Sequence, residues 1–372
     1  MKTNKRLYVD VHVLQSVPPS CVNRDDTGSP KSAIYGGATR ARVSSQCWKK
    51  AMRGMFCDIF SEEVLAKRTK RIVGMVAEQI EAQNDNLDRD EAVAKAEQVL
   101  KTAGLKIKSV DKGTDALFFM STAQAKALAE LVKDDPDVTN DKPSKAVKNK
   151  VQNVLKASPG IEIALFGRMV ADDPSLNTDA CAQVAHSIST HKVIKEYDYF
   201  TAVDDLSPED TAGAGHIDTV EYNSATLYRY ATVAAHDLLK HLDGKTAEAV
   251  RGFVHAFVCS MPTGKQNTFA NRTVPAAVLI TLRNDQPVNL VGAFERPVKA
   301  GNNDDDGYIE ASAKAFVEHT EDVYKNWLGK PELSLATGEL FAALAEPQPL
   351  QDLIKTLETE LSKRLEISGV MQ

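Results

Sequence analysis

The 372-residue sequence predicts an α+β fold on three observations: strand-like alternation at its start and middle, helical composition between Ser61 and Ala157, and amphipathic helices toward its end. From Leu7 to Gln15, Leu7, Val9, Val11 and Val13 share one face while Tyr8, Asp10 and His12 share the other, the period of a half-buried strand. Ser44 or Ser45 can then cap a helix in which Trp48, Met52 and Met55 or Phe56 recur at helical spacing, with Lys49, Lys50 and Arg53 off that stripe. The runs "EEVLAKRTKRIVGMVAEQI" and "DEAVAKAEQVLKTAGL" are helical with almost no strand signal, as expected of a helical subdomain inserted into a sheet domain. "KDDPDVTNDKPSK" punctuates that segment and "KASPG" ends it. Strand-like alternation returns in "IEIALFGRM", a helix is expected over "DACAQVAHSISTHK", and strands over "EYDYFTAVD" and "ATLYRYATV". Between the last two lies "DLSPEDTAGAGHIDTVEYNS", a loop too polar to be buried and long for a simple hairpin turn. A helix over "TAEAVRGFVHAFVCSM", a buried strand over "AAVLITLR", a helix from about Ala311 to Trp327 and the amphipathic "LQDLIKTLETELSKRLE" complete the order.

Hydrophobic residues make up 43 % of the chain, enough for a substantial core. Neither a membrane-length apolar run nor the apolar block of a secretory signal occurs, so a cytoplasmic protein without membrane contact is expected. Cys21, Cys47, Cys57, Cys181 and Cys259 are odd in number and lack C-x-x-C spacing, which supports neither a disulfide framework nor a zinc ribbon.

Several chemistries fail on spacing. "NRDDTG" begins like a calcium loop, but the position that needs a bidentate Glu is Ile34. "PTGKQNT" lacks both the earlier glycine and the hydroxyl residue of a nucleotide-hydrolysis loop, having Cys259 and Gln266 there. His186 with His191, and His236 with His241, are five residues apart, which turns them about 140° around a helix rather than stacking them as metal ligands. No G-x-S-x-G elbow is present. Catalytic, cofactor and metal sites are therefore not expected, and Asp25–Asp26 and Asp204–Asp205 read first as turn-formers.

One segment stands apart. Asn23 to Arg53 holds seven Lys or Arg against two Asp, a local +5 in a chain of net charge −6. Gly36 and Gly37 permit close backbone approach, Ser44 and Ser45 offer hydroxyls and amides at a helix start, and Arg40, Arg42, Lys49 and Arg53 supply charge. With Gln46 as a further polar contact, these parts suit a polymer phosphate backbone better than a single nucleotide.

"SCVNRDDTGSPKSAIYGGATRARVSSQCWKKAMR", "GIEIALFGRM", "AHSISTHKV", "DYFTAVDDL" and "KQNTFA" resemble, in order and spacing, the backbone subunit of the type I-E CRISPR surveillance complex, Cascade. The resemblance implies an RRM-like (ferredoxin-like) palm over residues 1–60, 158–199 and 223–372, a helical fingers insertion over 61–157 and a long hairpin-like thumb over 200–222. It implies a protein that holds CRISPR RNA without cutting it, in about six copies of itself alongside other Cascade subunits. Each thumb would displace one guide nucleotide and leave the rest displayed for a target DNA strand. Carried over, guide-phosphate contacts fall on Arg24, Lys31, Ser44, Gln46, Lys49 and Arg53, and contacts around the displaced nucleotide on Met169, Phe200 and Thr201. Tyr199 stands where a relative carries Trp and keeps a stacking face, while Lys265 and Gln266 lie in a loop that also approaches the guide. Related subunits of another CRISPR type cut RNA with an Asp in the corresponding loop. Asp25 and Asp26 therefore carry the alternative reading, a metal-dependent endoribonuclease.

Overall fold

The computed structural model describes residues 6–84, 87–109, 113–170, 172–202, 216–301 and 307–369. The chain opens with β1 (Tyr8–Ser20), the hairpin β2 (Ser32–Tyr35) and β3 (Ala38–Val43), and α1 (Ser45–Ile59). A second unit follows: β4 (Ala66–Thr69), α2 (Ile72–Ala82), α3 (Arg89–Thr102), β5 (Ile107–Ser109), β6 (Gly113–Thr114), β7 (Phe118–Ser121), α4 (Thr122–Asp134) and α5 (Lys145–Lys156). The chain then returns through α6 (Ile161–Phe166), β8 (Ala182–Val184), β9 (Ser187–Ser189), β10 (Glu196–Ala202) and β11 (His216–Ala234). It ends with α7 (Ala235–Leu242), α8 (Thr246–Cys259), α9 (Gln266–Phe269), β12 (Ala277–Arg283), α10 (Ile309–Val323), β13 (Leu333–Thr337) and α11 (Leu350–Gly369).

The main antiparallel sheet runs β13-β12-β1-β11-β9-β3-β2, with β8 and β10 also paired to β11. β1 lies between β11 and β12, with Tyr8 opposite Ala234 on one side and Arg283 on the other. Its Val9, Val11 and Val13 face pack with Trp48, Phe253 and Leu357 into the larger core. The half-buried expectation for β1 is corrected on its other face. Asp10 and His12 are fully covered because α10 and the Phe294–Phe341 cluster form a second layer there. His12 Nδ1 lies 2.8 Å from the Tyr228 hydroxyl, and burial holds its pKa down at about 3. Asp10 accepts from the Tyr230 hydroxyl and the Val288 amide, each at 2.9 Å, so the polar residues alternating with valine are satisfied internally instead of by water.

Burial raises the Asp10 pKa to about 6. A carboxyl whose folded pKa lies above its unfolded value of about 3.9 contributes stability below that value and loses it as pH rises to the folded pKa. Asp10→Asn removes this slope. Between pH 4 and 6.5 the unfolding free energy of the variant, read from urea titrations, is expected to gain on that of wild type by an amount on the order of 2 kcal/mol. An unchanged gap between the two would contradict the account.

The second unit has its own core, with Ile72, Val76, Val99, Leu128 and Leu155 buried together, and it draws in Val170 and Leu176 from beyond the expected boundary at Ala157. Ser121 and Gln124 cap α4 reciprocally, and Asp88 and Ser144 cap α3 and α5. Short strands appear where almost none were expected, β4 with β7 and β5 with β6. Two further expectations are corrected. Ile161–Phe166 is a buried helix bounded by Gly160 and Gly167 at positive φ, since a short apolar run does not distinguish a buried strand from a buried helix. "AQV" and "SIS" in the expected helix are instead strands, because pairing to β11 overrides the helical propensity of alanine. The long polar loop is partly strand as well. β10 pairs with the first part of β11, Glu196 opposite Tyr222 through Ala202 opposite His216, while residues 203–215 of the expected thumb lie outside the described residues.

Candidate nucleic-acid interface

Helix α1 forms a ridge between two open grooves, and Lys50 lines both. Ser44 is its N-cap; the hydroxyl accepts from the Cys47 amide at 3.3 Å while the Ser44 amide is held by Asn23 Oδ1 at 2.9 Å. The next amides, of Ser45 and Gln46, have no acceptor among the described residues. No acid occupies the first turn. This helix end therefore presents donors and positive potential to an anion. Trp48, Met52 and Phe56 bury the opposite face as their spacing requires, and Trp48 Nε1 donates to Ser187 Oγ at 2.9 Å.

The first groove, about 830 Å³, brings together Gln46, Lys49, Arg53 and Met169, four residues singled out in the sequence. Lys49 Nζ sits 5.4 Å from the centre of the Phe166 ring, burial lowers its pKa, and no described carboxylate pairs with it. A partly desolvated ammonium without a counterion favours an incoming anion. Arg53 differs, since its Nε donates at 2.7 Å to the buried carboxylate of Glu162 and its guanidinium lies over Phe119. Its charge is largely answered within the fold, so Arg53 shapes the wall more than it supplies charge.

Met169 is 84 % exposed. Its neighbours are not: Gly167 has φ +77°, and a Cβ there would lie 2.9 Å from the Thr178 carbonyl. Arg168 is buried and donates to the Leu176, Phe119 and Leu155 carbonyls at 2.8–3.1 Å. A thioether is thus held in the groove on a rigid stalk. Arg68 and Leu117 from the second unit face it across the groove; no local sequence pattern marks them, because only the tertiary fold brings β4 and β7 beside α1.

The second groove, about 880 Å³, carries Arg24, Lys50, Lys265 and Arg272 together with Asp25 and Asp58. Gly264 packs so closely that a Cβ would lie 2.1 Å from the Val22 carbonyl, which pins Lys265 beside the first loop; Gln266 starts α9 behind it. Asp25 Oδ1 accepts from the Thr27 amide, the Thr27 hydroxyl and the Ser29 amide, and those hydrogen bonds, the hydroxyl's first, lower its pKa. Its carboxylate is an Asx-turn lock. Among the described residues no group of three His, Cys, Asp or Glu is placed to hold a metal ion. Lys31 and Arg42 line a smaller cleft that shares Asn23 with this groove.

Arg40 and the glycine pair correct the sequence reading. Arg40 is fully buried and donates to the carbonyls of Tyr35, Ser189, Thr190, Phe294 and Glu295, so it offers no charge to a phosphate. Gly36 at φ +57° approaches the chain's own Glu295 carbonyl, where a Cβ would lie at 1.6 Å; with Gly37 at φ +72° it closes the β2–β3 turn, so the close backbone approach at Gly36 is made within the fold. On β10, Tyr199, at 73 %, and Thr201 are exposed on one side and Phe200 on the other, so Tyr199 and Phe200 cannot stack on one base. Tyr197, 65 % exposed, shares the Tyr199 side and escaped the sequence reading because it lies outside the quoted motif.

No helix among the described residues is long and apolar enough to cross a membrane. The family model described as CT1975-like protein matches residues 9–359. A solved chain from a "CRISPR RNA-guided surveillance complex, pre-nicking" superposes with a TM-score of 0.81 at 31 % identity, covering 95 % of this chain and 100 % of that one. A second, from a "CRISPR RNA-guided surveillance complex", gives 0.69 at 26 % identity over 95 % and 99 %. No curated protein matches in sequence.

Proposed function

We propose, from the premise that the chain belongs to the CT1975-like protein family, that it is the RNA-binding backbone subunit of a type I-E CRISPR surveillance complex. The observation that carries this reading is the first groove, where a partly desolvated Lys49 and the amides at the start of α1, all without a partner among the described residues, converge with the exposed Met169. Phosphates of the guide lie along α1 on Lys49, Gln46 and the helix start, and along the first loop on Arg24, Lys31 and Lys265. Met169 and the β10 aromatics pack against bases where the strand is interrupted. The β10–β11 hairpin acts as the thumb and displaces one nucleotide per copy. Its support is that β11 runs without a break from the core sheet, where it pairs with β1, into the hairpin. The second unit acts as the fingers, and about six copies assemble head to tail along one guide with other subunits and the target DNA strand. Net charge does not oppose this, since the basic segment is local and the remaining surface carries the excess of acids.

The subunit holds RNA without cutting it, a reading supported by the commitment of Asp25 to its turn. Incubating the assembled complex with guide-complementary RNA and magnesium is expected to leave that RNA intact. Cuts at regular spacings of about six nucleotides, lost in Asp25→Asn or Asp26→Asn, would establish the endoribonuclease instead.

A further inference from the structure

His186 lies between β8 and β9 beside two cations. Its Nδ1 is 3.1 Å from an Arg42 guanidinium nitrogen, and because guanidinium only donates, Nδ1 accepts and the neutral ring carries its proton on Nε2. The Ser32 carbonyl accepts from Arg42 Nε at 3.2 Å and fixes the guanidinium beside the ring. Arg42 from β3 and Lys31 from the loop before β2 are the charged groups that act on His186; partial burial first, then these two, lower its pKa, and no described carboxylate faces it. Two permanent cations and a ring N–H, with no carboxylate acting on the ring among the described residues, are groups that an anion can bridge. Lys31 and Arg42 line a cleft that shares Val22 and Asn23 with the basic groove, which places the two cations next to it.

We propose that Lys31, Arg42 and His186 bind one backbone phosphodiester of the RNA strand, with His186 as a proton-linked third ligand. The inference rests on the RNA-binding reading above. In the free chain partial burial and the two cations favour the neutral imidazole. An arriving phosphodiester draws Arg42 onto its oxygens and offsets both charges; Nδ1, released from Arg42, takes a proton from solvent and the ring binds as imidazolium. By linkage, a group whose pKa rises on binding strengthens binding as pH falls, an effect lost as pH rises past the bound-state pKa.

The test is calorimetric titration of the full chain with a short oligouridine at pH 6.5 and pH 8, each in two buffers of different ionisation enthalpy. Wild type is expected to bind several-fold tighter at pH 6.5 than at pH 8, with proton uptake at pH 6.5 that vanishes at pH 8. His186→Gln, whose amide still accepts from Arg42, is expected to show no uptake at pH 6.5 and to lose the several-fold gain in affinity between pH 8 and pH 6.5. RNA binding by wild type without uptake, or uptake that persists in His186→Gln, overturns the proposal and leaves the RNA-binding reading intact. Absence of oligouridine binding by wild type at either pH overturns both.

Discussion

Arg40→Ala is expected to lower the stability of the chain by about 4 kcal/mol, read as a fall in urea midpoint, a loss well beyond that of an exposed phosphate-binding cation. The guanidinium ties the β2–β3 turn at Tyr35 to the end of β9 at Ser189 and Thr190 and to the Phe294–Glu295 segment, all through carbonyl oxygens. Truncation takes the guanidinium donor from five carbonyls, most of them buried, of which that of Thr190 still accepts from the Val298 amide. Arg40→Lys is expected to recover little, since one ammonium cannot reproduce the planar fork. A midpoint equal to that of wild type combined with lost RNA binding would show that Arg40 faces the strand after all.

Lys49→Ala carries the largest expected effect on binding. Its ammonium is partly desolvated against Phe166 and has no carboxylate partner among the described residues, so its charge is available to a phosphate, whereas that of Arg53 is answered by Glu162. Loss of about tenfold in affinity for single-stranded RNA at moderate salt is expected, equally for every base composition. The slope of log affinity against log salt should become shallower by about 0.7, the contribution of one neutralised phosphate on a single strand. Arg53→Ala is expected to act first on stability, by breaking the pair with buried Glu162. A loss in Lys49→Ala confined to particular bases would contradict a phosphate contact.

The sequence made the α1 face legible because the spacing of Trp48, Met52 and Phe56 leaves no other way to bury that helix, and the cap at Ser44 follows from local chemistry. It made the second core legible through helical periodicity, although its short strands and its reach to Val170 and Leu176 depend on contacts remote in sequence. Composition alone could not separate Arg40 from Arg42. Both belong to β3, but the side chain of Arg40 points into the layer under Phe294 while that of Arg42 stays beside His186. The Asp10 and His12 face was misread for a similar reason, since alternation reports polarity, and polar residues are buried where partners such as Tyr228 and Tyr230 await them. Met169 was reached only through the family resemblance. Its exposure follows from the Arg168 anchor and the Gly167 conformation, which periodicity does not report.

The central claim is that this chain holds one dedicated guide, and its most direct test is the RNA that stays bound when the chain is expressed with its complex partners and a CRISPR array and washed at moderate salt. The account predicts a single intact RNA of about one repeat plus one spacer, lost from complexes carrying Lys49→Ala. Heterogeneous host RNA, or none, would contradict it.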